Sequence, residues 1–201
     1  MSQLAVTPTF IDTILAACRQ VQNGRRHRDV ALHAVTELGE LAQEVQIATG
    51  RTPGKAAGED GIAGEALDVI LCVVDFMHRL DPRTNDRLLI AAMDREAASM
   101  NASFTGFVLG GWRGKEPIHQ ADLKATVLKV AQDLGKLSAL REAPFHDEIA
   151  EAAWPAACII QDCLHLISTE IPGIDEEGLI RMARRKLDKW IAKSRPVSEV
   201  A

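Results

Sequence analysis

The chain has 201 residues and a formal net charge of −5, with 4% aromatics and no Tyr. The acidic balance argues against a general binder of nucleic-acid polymer, which needs a basic face. The length can bury a core, and the wealth of Ala and Leu favours helices over a β-sandwich.

Apolar periodicity and capping signals predict helices near residues 9–23, 28–49, 62–80, 85–101, 119–141, 145–169 and 175–194, with no strand. Thr9 can cap the first helix and Gly24 ends it. The N-terminal stretch lacks a basic region, and Asp12 and Arg19 interrupt its apolar residues, so no signal peptide is expected. In the second helix Val30, Ala34, Leu38, Leu41 and Val45 form an apolar stripe. His33, Glu37, Glu40 and Glu44 form an acidic stripe beside it. Gly50, Pro53, Gly54, Gly58 and Gly61 mark a flexible loop before the third helix. That helix is apolar on most faces, yet Glu65, Asp68, Cys72 and Asp75 share one side. Asp81-Pro82 breaks it.

Glu37 with Glu40, and Glu65 with Asp68, are carboxylate pairs at i and i+3, so each pair lies on one face of its helix. Two such helices packed antiparallel would bring four carboxylates into one small space. Four anions at close range resist ionising together unless a cation sits among them. A hard, oxygen-seeking ion is the natural partner, Mg²⁺ or Mn²⁺ first.

The run Glu37-Leu38-Gly39-Glu40-Leu41, followed by Glu65-Ala66-Leu67-Asp68-Val69-Ile70, resembles the signature of the all-α NTP pyrophosphatases. That superfamily includes MazG, the dimeric dUTPases and phosphoribosyl-ATP pyrophosphohydrolase. Its pattern is ExxE, a variable spacer and ExxD, here separated by residues 41–64. MazG proper usually carries a further acid where this chain has Thr36. The resemblance spans residues 25–101 and implies an all-α bundle in which Glu37, Glu40, Glu65 and Asp68 bind Mg²⁺. It also implies a nucleoside triphosphate substrate, split by water at the α–β linkage into monophosphate and pyrophosphate.

The second half echoes the first. Asp133-Leu134-Gly135-Lys136-Leu137 mirrors the first acidic motif, and 149–165 mirrors 62–78. The echo predicts a tandem duplication of a four-helix MazG-like unit. Its metal-binding copy would be residues 1–102, its Gly-rich linker 103–118 and its degenerate copy 119–201, all in one compact domain. Lys136, Ala152 and Pro155 stand where Glu40, Glu65 and Asp68 stand in the first copy, and Pro155 should bend its helix. This arrangement resembles the dimeric dUTPases, with one metal-binding half and one that shapes the pocket. The duplication suits a self-sufficient monomer, yet members of the resembled family assemble as dimers or tetramers, and a homodimer is the expectation.

A triphosphate entering such a site needs bridging cations, and four acids suit two or more ions. Glu37 and Glu40 would act at the catalytic centre, and Glu44, one turn beyond, could hold or deprotonate the attacking water. A solvated acid is the other reading of Glu44. Asp75 reads either as a ribose contact or as a buried acid paired with Arg. The run 181–190 resembles the basic helix that closes this fold, where Arg184, Lys186 and Lys189 could meet phosphate. Each also reads as an ordinary solvated helix end. Arg25, Arg26, His27 and Arg28 precede the first acidic helix, where Arg28 could join a phosphate site or simply face solvent. His33 reads as a neighbour of Glu37. Trp112 in the linker could stack on a base, with Arg113 near phosphate, or belong to a hydrophobic connector. Two other functions remain open: a carboxylate-bridged di-iron bundle and a non-catalytic nucleotide-binding regulatory module. No segment is long and apolar enough to cross a membrane, and Cys18, Cys72, Cys158 and Cys163 lack CxxC spacing. Together these suggest a soluble cytoplasmic protein.

Overall fold

The computed structural model describes residues 10–21, 24–80, 88–89, 91–93, 119, 122–140 and 146–194. Among them are six long helices: α1 (Phe10–Gln20), α2 (His27–Ala48), α3 (Gly61–Leu80), α4 (Leu123–Ser138), α5 (His146–Glu170) and α6 (Glu176–Ser194). Residues 88–89 and 91–93 are helical as well, and no strand occurs among the described residues. The chain is an all-α helical bundle. The linker 103–118 with Trp112, the Asp81-Pro82 break and the rest of the predicted helix 85–101 lie outside the described residues.

The helix packing forms a ring: α2 on α3, α3 on α5, α5 on α4, and α4 back on α2. α1 and α6 pack together and both touch α3, which therefore sits at the centre. Its sequence explains that place. Every residue from Val69 to His78 is buried, and Leu67, Ile70, Val73 and Val74 are fully so. Each such Leu, Ile or Val contributes about 1.5–3 kcal/mol by leaving water. α5 is also largely enclosed, with no exposed residue from Pro155 to Ile167, whereas α1, α2, α4 and α6 are amphipathic and bury one side. In α4 that side is Leu123, Val127, Val130, Leu134 and Leu137, spaced by four and three.

Local signals set the helix ends. The Asp29 carboxylate accepts the Arg26 N–H at 2.8 Å and closes the start of α2. Gly24, which separates α1 from α2, takes φ +69°, a conformation costly for other residues. At the start of α3, Gly61 has φ +58°, and a Cβ there would lie 2.8 Å from Glu170 Oε1. That same carboxylate accepts the Ala63 N–H, so the end of α5 caps the start of α3. Of the predicted helix 119–141, residues 123–138 are helical, while Asp122, Ala139 and Leu140 lie in turns or bends and 120, 121 and 141 fall outside the described residues. α5 continues through Pro155 from His146 to Glu170.

Candidate metal centre

Three contacts set the register of α2 against α3. Arg25, just before α2, pairs with Asp75; Glu37 converges with Asp68; and Glu44 meets Gly58. Numbers rising on one segment meet numbers falling on the other, so the two helices run antiparallel. The register places the middle of α2 beside the first two turns of α3. There Glu37, Glu65 and Asp68 each offer an oxygen within 4.8 Å of the others.

All three acids are half-buried where α2 packs on α3. Burial, followed by the charges of Asp68 and Glu40, pushes the Glu37 carboxyl up to about 7, against the pull of Lys186. Burial and the Asp68 charge likewise push Glu65 up to about 7, with Glu40 and Glu37 adding to the rise. Asp68 is raised as well, chiefly by burial and despite the hydrogen bond from Lys186. Three clustered carboxyls that each resist ionisation form a site that a positive charge would stabilise. Glu65 Oε2 is moreover buried without a hydrogen-bond partner. An oxygen-only donor set with one orphaned oxygen fits a hard divalent cation. Among the described residues no histidine or cysteine belongs to this converging set.

The remaining candidate residues divide by position. Glu40 is exposed and outside the converging three, yet its charge raises all three of them. Glu44 is 6% exposed and accepts the Gly58 N–H at 3.0 Å, so it ties the loop before α3 to α2. A second tie joins Lys55 to Gln43, so the glycine-rich loop is pinned at two points along α2. Asp75 is 1% exposed, with one oxygen held by Arg79 Nε at 2.9 Å and the other by Arg25 Nη2 at 3.2 Å. Arg79 also donates to the carbonyls of Val21 and Arg25, which anchors the connection between α1 and α2. Arg28 is exposed and reaches the Leu140 carbonyl at the far end of α4. Arg184 borders a separate surface depression with Arg181 and Arg185. His33 Nε2 lies 3.3 Å from Glu37 Oε1, on the outer side of the cluster.

α6 brings the cations. Lys186 Nζ donates to Asp68 Oδ2 and, at 2.9 Å, to Asp60 Oδ2. Burial opposes the Lys186 charge, but these hydrogen bonds and the two aspartates hold its pKa above the ordinary lysine value. The hydrogen bond from Lys186 lowers Asp60 in turn. A cleft of about 300 Å³ opens between α6 and the acids. Lys186, Lys189 and Lys193 line one side, Leu71 and Cys72 the other, and Trp190 carries the Arg25 guanidinium 5.6 Å from its ring centre. Burial pushes the Cys72 thiol up, so it lines the cleft in its neutral form.

Asp60, Trp190 and Lys193 escape a reading based on acid pairs. Steps of four and three from Lys186 along α6 would have found Trp190 and Lys193, since those spacings share a helix face. Asp60 directly precedes a helix start, a cap position that gives no hint of the lysine it meets from α6. No helix among the described residues is long and apolar enough to cross a membrane. No family model, curated protein or solved structure matches this chain.

Proposed function

We propose that the protein is a Mg²⁺-dependent nucleotide pyrophosphohydrolase that splits a nucleoside triphosphate into monophosphate and pyrophosphate. The observation that carries this reading is the convergence of Glu37, Glu65 and Asp68 beside a cleft that Glu37 and Asp68 line together with Lys186, Lys189 and Lys193. The resemblance of the two acidic motifs to the all-α NTP pyrophosphatases supplies the reaction class.

Glu37, Glu65 and Asp68 would hold the ion, and Glu40 stands near enough to strengthen the negative field around it. When bound, Mg²⁺ would neutralise phosphate charge and make a bound water more acidic. Lys189 and Lys193 would meet phosphate oxygens that face α6, each as a mobile point charge. Leu71 and Trp190 offer apolar surface to the less polar part of the ligand. The cleft is at the small end for ligand pockets, so part of a triphosphate would extend beyond it. Of the degenerate copy, 119–201, the α4–α5 hairpin would support the cleft, while α6 of the same copy would supply the lysines that line it.

The test is pyrophosphate release from a panel of ribo- and deoxyribonucleotides with Mg²⁺, comparing wild type with Glu37→Gln and Glu65→Gln. Turnover that vanishes in both variants supports the proposal and names the substrate. Nucleotide binding without turnover in wild type would favour a regulatory module. An iron-dependent absorption band in the purified protein would favour the di-iron bundle.

A further inference from the structure

Lys186 occupies a position that a simple phosphate-binding lysine would not. Its ammonium lies on Asp68, one of the three converging acids, and also on Asp60 at the mouth of the cleft. The lysine and Asp68 side chains are 17% and 24% exposed, whereas Asp60 is 55% exposed. A monovalent cation from α6 therefore already sits on an inner carboxylate, tethered at the rim by an outer one.

We infer that Lys186 is a displaceable internal cation that neutralises Asp68 until a divalent ion takes its place. The inference rests on the reading of the acid cluster as a cation site. A divalent ion held by Asp68 would repel an ammonium on the same carboxylate. The lysine stem is long and flexible, so the ammonium can leave Asp68 while staying near Asp60. Asp60 also feels the charge of Lys189, which lines the cleft, so the displaced ammonium would join a basic rim there. Binding of the ion would thus free a cation for an anionic ligand, and by linkage the anion would tighten the ion.

Two further consequences separate this device from a static ion pair. Removing the ammonium should favour the metal, although it deletes a contact of the folded protein. It should also weaken the coupling between metal and anion. Lys189 provides the control, because it carries the same charge on the same face without touching Asp68.

The experiment is calorimetric titration of the full chain with MnCl₂, with and without inorganic pyrophosphate. The proteins compared are wild type, Lys186→Met, Lys186→Arg, Lys189→Met and Glu65→Gln. Lys186→Met is expected to bind Mn²⁺ about tenfold more tightly than wild type. Lys186→Arg should bind it more weakly, because a guanidinium can grip Asp68 through two parallel bonds. In the absence of pyrophosphate, Lys189→Met should change Mn²⁺ affinity less than about twofold, as expected of an exposed, screened charge. Pyrophosphate should raise Mn²⁺ affinity more in wild type than in Lys186→Met.

Equal or weaker Mn²⁺ binding by Lys186→Met overturns the inference, as does an equal gain in Lys189→Met. If Lys186→Met does not fold, Lys186→Arg decides, and Mn²⁺ affinity at or above wild type overturns it. Wild-type binding that is lost in Glu65→Gln but insensitive to Lys186 removes this inference alone. Failure of every protein to bind Mn²⁺ removes the metal-site reading with it.

Discussion

The α2–α3 and α4–α5 hairpins occupy opposite sides of the same ring, yet their seams differ in kind. Where α2 meets α3, half-buried Glu37, Glu65 and Asp68 point into one space. In the second hairpin, Ala152, Ala153, Ala156 and Ala157 are buried along α5. The one charged pair of that motif, Lys136 with Asp133 at 2.6 Å, is satisfied within α4. Small apolar side chains let helices approach and leave no electrostatic debt. Clustered carboxylates in a seam cost stability in their ionised form, and such a cost persists in a protein chiefly where a function uses it.

The largest expected effect comes from breaking the acidic seam. Glu65→Gln or Glu37→Gln should reduce turnover more than about 100-fold, beyond the usual effect of altering an outer-shell partner. The same substitutions should leave the helical circular dichroism unchanged. Retained turnover would mean that the seam is not the reacting centre.

Next comes the support beneath the seam. Asp75→Asn would leave Arg25 and Arg79 without their shared carboxylate and should destabilise the fold by about 3 kcal/mol in urea unfolding. A change within about 0.5 kcal/mol would show that this network contributes no more than a surface pair.

Acidity sharpens the comparison further. Glu37 and Glu65 titrate near 7 in the folded chain, against an ordinary 4.5. Between those values the folded state holds more protons than the unfolded state, so stability falls as pH rises. Their favourable contribution is complete below about 4.5 and is lost as pH passes 7. In a chelator, the melting temperature should therefore decline from pH 5 to 8, and excess Mg²⁺ should flatten the decline. Glu37→Gln with Glu65→Gln should flatten it without metal. A slope unaffected by either change would assign the pH dependence to other groups.

The smallest effect belongs to the second hairpin. Lys136→Ala removes an exposed pair within one helix and should leave melting temperature, Mn²⁺ affinity and turnover within experimental error. A loss of metal affinity there would show that the two seams are coupled.

Periodicity alone determined the all-α architecture, the bounds of α2, α3, α5 and α6 within a residue or two, and the pairing of acids on single faces. These are local properties, because helix formation and side-chain direction depend on neighbours three and four positions away. The apolar character of α3 on most faces likewise marked it as mostly buried, while its central place came from the packing. Tertiary structure decided which groups meet from distant parts of the chain. Lys186 and Asp68 are 118 positions apart, so nothing in either motif ties that ammonium to that carboxylate. Packing likewise turned Glu44 to the Gly58 amide, locked Asp75 between two arginines and sent Arg184 to a different surface from Lys186. A helix repeats every 3.6 residues, so a shift of two positions, from Arg184 to Lys186, swings a side chain more than halfway around the axis. Whether a given cation reaches the acids is therefore fixed by how α6 docks on α3, which a local pattern does not encode.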